Sequence, residues 1–129
     1  MKLPEITADT IHEIVGEGIL SLKGKDYLQV AHRVVLFRYM NPEATIYTEV
    51  ETVGDIPYVK ATIAEGYDVR ATAYKEVKRG GKGAAAQYPL ECAETGAIGR
   101  ALALCGFGTL SGDLDESDQL ADSPLVTGK

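Results

Sequence analysis

The spacing of hydrophobic positions changes twice along the chain. Over residues 8–22, Ile11, Ile14, Val15 and Leu22 recur at near-helical spacing, which predicts a first helix weakened by Gly16 and Gly18. Asp9 or Thr10 would cap it, and Glu13 completes a capping-box pattern with Thr10. After a turn over LKGKD, the segment YLQVAHRVVLFRYM lines Tyr27, Val30, Ala31, Val34 and Phe37 or Arg38 along one face. This predicts a second helix, stopped at Asn41-Pro42 because the residue before proline is biased away from helix; the run VVLF would also suit a strand.

From Ala44 to Arg79 the period is two. Ile46, Thr48 and Val50 alternate with Tyr47, Glu49 and Glu51; Val59, Ala61 and Ile63 with Tyr58, Lys60 and Thr62; Val69, Ala71 and Ala73 with Arg70, Thr72 and Tyr74. Turns at Gly54-Asp55 and Glu65-Gly66 make these three runs an antiparallel meander, apolar on one face and polar on the other. Residues 88–108, YPLECAETGAIGRALALCGFG, then form the longest helical pattern. Leu90, Ala93, Ala97, Ala101 and Leu104 share a side that Ile98, Leu102 and Cys105 widen. Gly96, Gly99 and Ala103 share another side, where the lack of large side chains would admit a polyanion or a neighbouring subunit. The alanine-rich inner strands match the alanine-rich helix, so the predicted fold is α+β, with helices packed on one face of a three-stranded antiparallel β-meander.

At 129 residues, 45% hydrophobic and 25% charged, the chain suits one soluble domain. No apolar run approaches the ~20 residues that span a bilayer, and MKLPEITADT does not read as a signal peptide, so the expected location is cytoplasmic. Cys92 and Cys105 lie about 20 Å apart along one helix, which excludes a disulfide between them within it. With His12 and His32 as the only histidines and no CxxC or HxxxH spacing, neither a metal site nor a cofactor is expected.

The net charge of −6 is concentrated at the ends. Lys2 against Glu5, Asp9, Glu13 and Glu17 gives −3 over residues 1–22, and Lys129 against Asp113, Asp115, Glu116, Asp118 and Asp122 gives −4 over residues 111–129. The middle is left at +1, so an acidic total does not argue against a nucleic-acid partner. The expected organisation is a domain over 1–110 and an acidic disordered tail over 111–129.

Chemistry-bearing motifs are few. The loop KRGGKG, with Lys78, Arg79 and Lys82, lacks the spacing of a nucleotide-binding P-loop, and reads either as a basic loop meeting a nucleic-acid backbone or as a solvated surface loop. GDLDESD lacks the glycine and glutamate of a calcium loop. His32 and the cysteines have no spaced acid partner or elbow motif, so His32 reads as a structural histidine and the chain as a non-enzyme. Arg33 and Arg38 on the second helix, Lys60, Arg70 and Tyr74 on the polar sheet face, and Arg100 on the last helix remain. Singly each reads as a surface ion pair; together with stacking tyrosines they would suit a groove for single-stranded nucleic acid.

His32-Arg33-Val34, followed by three strands, a basic loop and Glu94-Thr95-Gly96-Ala97-Ile98-Gly99-Arg100-Ala101-Leu102 ending in Gly106 and Gly108, resembles the single-strand annealing proteins of the Rad-fifty-two superfamily, including phage members of the Erf and Sak types. The resemblance covers about residues 24–110. It implies ATP-independent binding and annealing of single-stranded DNA in recombination, repair or replication, in a basic groove around a homo-oligomeric ring or filament, and a phage or mobile-element origin. Arg33 and Arg100 would contact the DNA backbone, and Lys78 to Lys82 would border the groove. Gly99 departs from the lysine often found before the motif arginine. The tail would compete with DNA or recruit a replication or recombination partner. The alternatives are a single-strand protector without annealing activity and an oligomeric structural module that binds no nucleic acid.

Overall fold

The computed structural model describes residues 19–22, 25–80 and 83–108, with side chains from Gln29 onward apart from those of Ala84 and Ala85. Most of the expected first helix, Lys82 and the acidic tail lie outside these residues. The end of that expected helix is instead strand β1 (Ile19–Leu22), paired antiparallel with β2 (Lys25–Leu28). The pairing sets Ile19 opposite Leu28 and Leu20 opposite Tyr27. A backbone ladder to β2 takes the place of helix there, and Gly16 and Gly18 lower the helix propensity of the sequence before it.

Helix α1 (Val30–Met40) begins three residues later than its apolar spacing suggests, because Tyr27 and Leu28 belong to β2. It stops at Asn41, whose backbone N–H donates to the Phe37 carbonyl at 2.8 Å and whose own carbonyl accepts from the Ala44 N–H at 3.1 Å. That pair of bonds turns the chain directly into the sheet.

Strands β3 (Ala44–Val53), β4 (Ile56–Glu65) and β5 (Asp68–Glu76) form the expected meander in the order β3-β4-β5. Two-residue turns join them, with Gly54 at φ 61° and Gly66 at φ 64°; these left-handed values are costly for a residue with a Cβ. The rows Ile46, Ile63, Ala71 and Thr48, Ala61, Ala73 face inward. Between Ile63 and Ala64 the register shifts: Ile63 pairs with Ala71, but Ala64 pairs with Val69, so Arg70 is an extra residue on β5. This bulge inverts the alternation. Val69, expected inside with Ala71 and Ala73, is 59% exposed.

After a short helix α2 (Ala84–Gln87), helix α3 (Pro89–Leu104) covers the inner sheet face, with proline in its first turn where a missing N–H costs nothing. Ala93, Ala97 and Ala101 are buried in one core with Ala61, Ile63, Ala71 and Ala73. Small residues on both surfaces let helix and sheet approach closely, as their composition suggests. α3 starts over β3, where the Thr48 hydroxyl donates to Glu94 Oε2 at 2.8 Å, and ends over β5, where Arg100 and Leu104 lie beside Thr72, Ala73 and Tyr74. It therefore crosses the sheet diagonally. α1 packs against α3 and shares its core with the sheet, and Phe37 meets Phe107 edge to face with ring centroids 5.2 Å apart.

Candidate nucleic-acid interface at the edge of the sheet

Tyr74 has two of the candidate cations, Lys60 and Arg100, as neighbours. On β5 it shares the outer face with Thr72, and the antiparallel register sets Lys60 of β4 directly opposite it. From the other direction, α3 carries Arg100 into a cleft of about 300 Å³ lined by Thr72, Ala73, Tyr74, Arg100 and Leu104. Tyr74, 46% exposed, thus lies opposite Lys60 on the outer sheet face and borders the cleft that Arg100 lines. Lys78 and Arg79 are exposed and follow Tyr74 by four and five residues, roughly 13–16 Å along an extended chain. β5 has no strand partner on its outer edge among the described residues, so this surface is accessible from the side.

The charge around Tyr74 is mixed: Glu76 follows it on the same face of β5, and Lys78 and Arg79 lie beyond the end of the strand. Lys60 Nζ lies 3.7 Å from Glu51 Oε2, and Glu49 is its cross-strand partner on β3. A half-exposed pair of this kind contributes little to stability, and its lysine can exchange one anion for another.

Two of the expected DNA contacts are elsewhere. Arg70, displaced by the bulge, donates to Glu65 Oε1 at 3.2 Å and lies 3.9 Å from Asp68, beside the Gly66-Tyr67 turn. Arg33 is an interior residue with 0% exposure. Its Nη1 donates to the carbonyls of Gly99 at 3.0 Å and Phe107 at 2.9 Å, fastening α1 to the end of α3. A guanidinium enclosed in this way has no access to a phosphate, so Arg33 is corrected from a backbone contact to an internal clamp. Lys82 lies outside the described residues.

The same clamp revises the reading of the small-residue side of α3. Gly96 and Gly99 are buried, and the group that approaches Gly99 is α1, through Arg33, in place of a polyanion or another subunit. Thr72 and Leu104 are cleft residues that the sequence analysis did not select. Thr72 shares the parity of Tyr74, a signal present in the alternation; Leu104 had been counted on the packing face, whereas it is 62% exposed.

Burial pushes the Cys105 thiol above its ordinary range, and Cys92 is raised by burial and by the neighbouring Glu91 carboxylate. Among the described residues no group of three or more His, Cys, Asp or Glu side chains is placed to hold a metal ion, and no helix is long and apolar enough to cross a membrane. Compared with protein families, with characterised proteins and with solved structures, the chain matches none.

Proposed function

We propose that this chain binds single-stranded DNA along the β5 edge and brings complementary strands together without covalent chemistry. The observation that carries the reading is exposed Tyr74, set opposite Lys60 across the sheet and at the border of the cleft that Arg100 lines. A base stacks on an aromatic face whatever its sequence, and flanking cations neutralise the adjoining phosphates, the combination found in sequence-tolerant single-strand binders. Lys78 and Arg79 extend the basic track beyond the strand. Neutralised phosphates let a second, like-charged strand approach, which is what annealing requires.

The test is titration of a fluorescent single-stranded oligonucleotide over a range of salt. Log K should fall with log salt by about 0.7 for each phosphate neutralised. Arg100→Ala should reduce that slope by about 0.7, whereas Tyr74→Ala should cost ~1–3 kcal/mol with the slope unchanged. Absence of wild-type binding at low salt would sink the reading. If binding is found, acceleration of complementary-strand annealing separates an annealing protein from a protector.

A second reading, a self-assembling structural module, is favoured by the sheet edges. Neither β3 nor β5 has an outer strand partner among the described residues. The β3 edge carries Glu49 and Glu51, with Glu43 just before it, while β5 and its continuation carry Arg70, Lys75, Lys78 and Arg79 against Asp68 and Glu76. Unpaired edges of opposite charge are suited to head-to-tail strand pairing. Under that reading β5 is occupied by a neighbouring copy, and the assembly mass is indifferent to oligonucleotide.

A further inference from the structure

We propose that the cleft between β5 and α3 docks the acidic segment of this same chain, residues 113–122, which occupies it as a phosphate mimic when no nucleic acid is bound. This rests on the reading of the cleft as a polyanion site and adds a competing occupant.

Three observations converge on it. The first is where the chain leaves the fold. Cys105 N–H bonds the Ala101 and Leu102 carbonyls, Gly106 turns the chain at φ 94°, and Phe107 N–H returns to the Leu102 carbonyl at 2.8 Å. Phe107 is fully buried and its carbonyl is held by Arg33. Gly108 consequently rests against Ala103, close enough that a Cβ on it would sit 3.5 Å from the Ala103 methyl. The exit point is therefore fixed beside Ala103, on the side of α3 that faces α1, in the same last turn that carries the cleft residue Leu104.

The second observation is reach. Asp113 follows Gly108 by five residues, and an extended chain covers about 17 Å in that length, enough to bring its carboxylate to the cleft from this exit. The third is charge. Residues 109–122 hold Asp113, Asp115, Glu116, Asp118 and Asp122 and no lysine or arginine, opposite Arg100, Lys60, Lys78 and Arg79. A tethered ligand with so short a connection acts at millimolar effective concentration, so weak contacts suffice to hold the site against a dilute competitor.

The experiment compares the full chain with a full-length variant carrying Asp113→Asn, Asp115→Asn, Glu116→Gln, Asp118→Asn and Asp122→Asn. Two quantities are read: affinity for a fluorescent single-stranded oligonucleotide, and zero-length carbodiimide crosslinks in the DNA-free protein, mapped by mass spectrometry. The expected results are about tenfold tighter oligonucleotide binding by the variant at low salt, with the gap closing as screening shortens the Debye length to a few ångströms, and wild-type crosslinks from Asp113 to Asp118 onto Lys60 or Lys78. Those crosslinks should be suppressed by oligonucleotide and by Arg100→Ala.

Absence of the crosslinks overturns the docking, including the case in which affinity still changes, because the tail would then act only through net charge. Crosslinks in a chain that binds no oligonucleotide at any salt would uphold the docking and remove the nucleic-acid reading beneath it. Equal oligonucleotide affinities with no crosslinks would do the reverse.

Discussion

Arg33 shows how far a single side chain can depart from what its type suggests. Val30, Arg33, Leu36 and Phe37 are the buried positions of α1, a helical stripe in which one member is charged. The guanidinium is accommodated because it donates to two carbonyls near the C-terminal end of α3, where the helix dipole is negative. Replacing Arg33 by alanine strands those carbonyls and opens a cavity, so the urea midpoint should fall by an amount equivalent to about 3–5 kcal/mol. Arg33→Lys should rescue only part of this, because an ammonium lacks the planar fork of the guanidinium. The role was not legible in the sequence, since its partners lie 66 and 74 residues away and a polar residue counts against the apolar face of its own helix. Tyr74 and Arg100 were easier to place: strand alternation puts Tyr74 on the outer face, where it is exposed, and helical spacing puts Arg100 at the border of the packing face, where it is half-buried. Cys105 gives a pH prediction of definite sign. Burial raises its pKa above the ordinary 9.0, so the thiol stabilises the fold fully below that value and the contribution is lost as pH rises through the higher folded value. Iodoacetamide should accordingly modify Cys105 more slowly than half-buried Cys92 at pH 8, with unfolding in urea removing the difference.

At the scale of elements, the sheet was the most readable part and also held the least readable detail. Gly54-Asp55 and Gly66 announce two hairpins, and both glycines take left-handed conformations with open space around the missing Cβ. Gly66→Ala should therefore cost only the backbone penalty, about 1–2 kcal/mol, seen as a shifted urea midpoint with an unchanged m-value. The bulge could not be read, because alternation continues through Val69, Ala71 and Ala73 as if nothing were inserted. Its presence predicts opposite responses at positions two apart. Val69→Thr, on an exposed site, should change stability by less than about 0.5 kcal/mol. Ala71→Val, against α3, should overpack the core and cost about 1–3 kcal/mol. Strand β1 was misread for a related reason: its pairing with β2 depends on a neighbour that a single-segment periodicity does not see.

For the whole molecule, β3 and β5 have no outer strand partner among the described residues, and the self-assembly reading therefore predicts concentration-dependent association that weakens with salt. Sedimentation velocity on wild type and on Glu49→Lys/Glu51→Lys should show a lower mass for the variant if β3 is the acidic partner, and equal masses if the edges stay apart. The long-range link through Arg33 has a bearing on time as well as on stability. Contacts among β3, β4 and β5 close short loops and can form early, while the bonds from α1 to Gly99 and Phe107 close the longest loops among the described hydrogen bonds and wait until the last turn of α3 exists. A clamp absent from the folding transition state affects one rate and spares the other. Loosening Arg33 should thus leave the refolding rate nearly unchanged and accelerate unfolding, making this buried cation the determinant of how long each molecule stays folded.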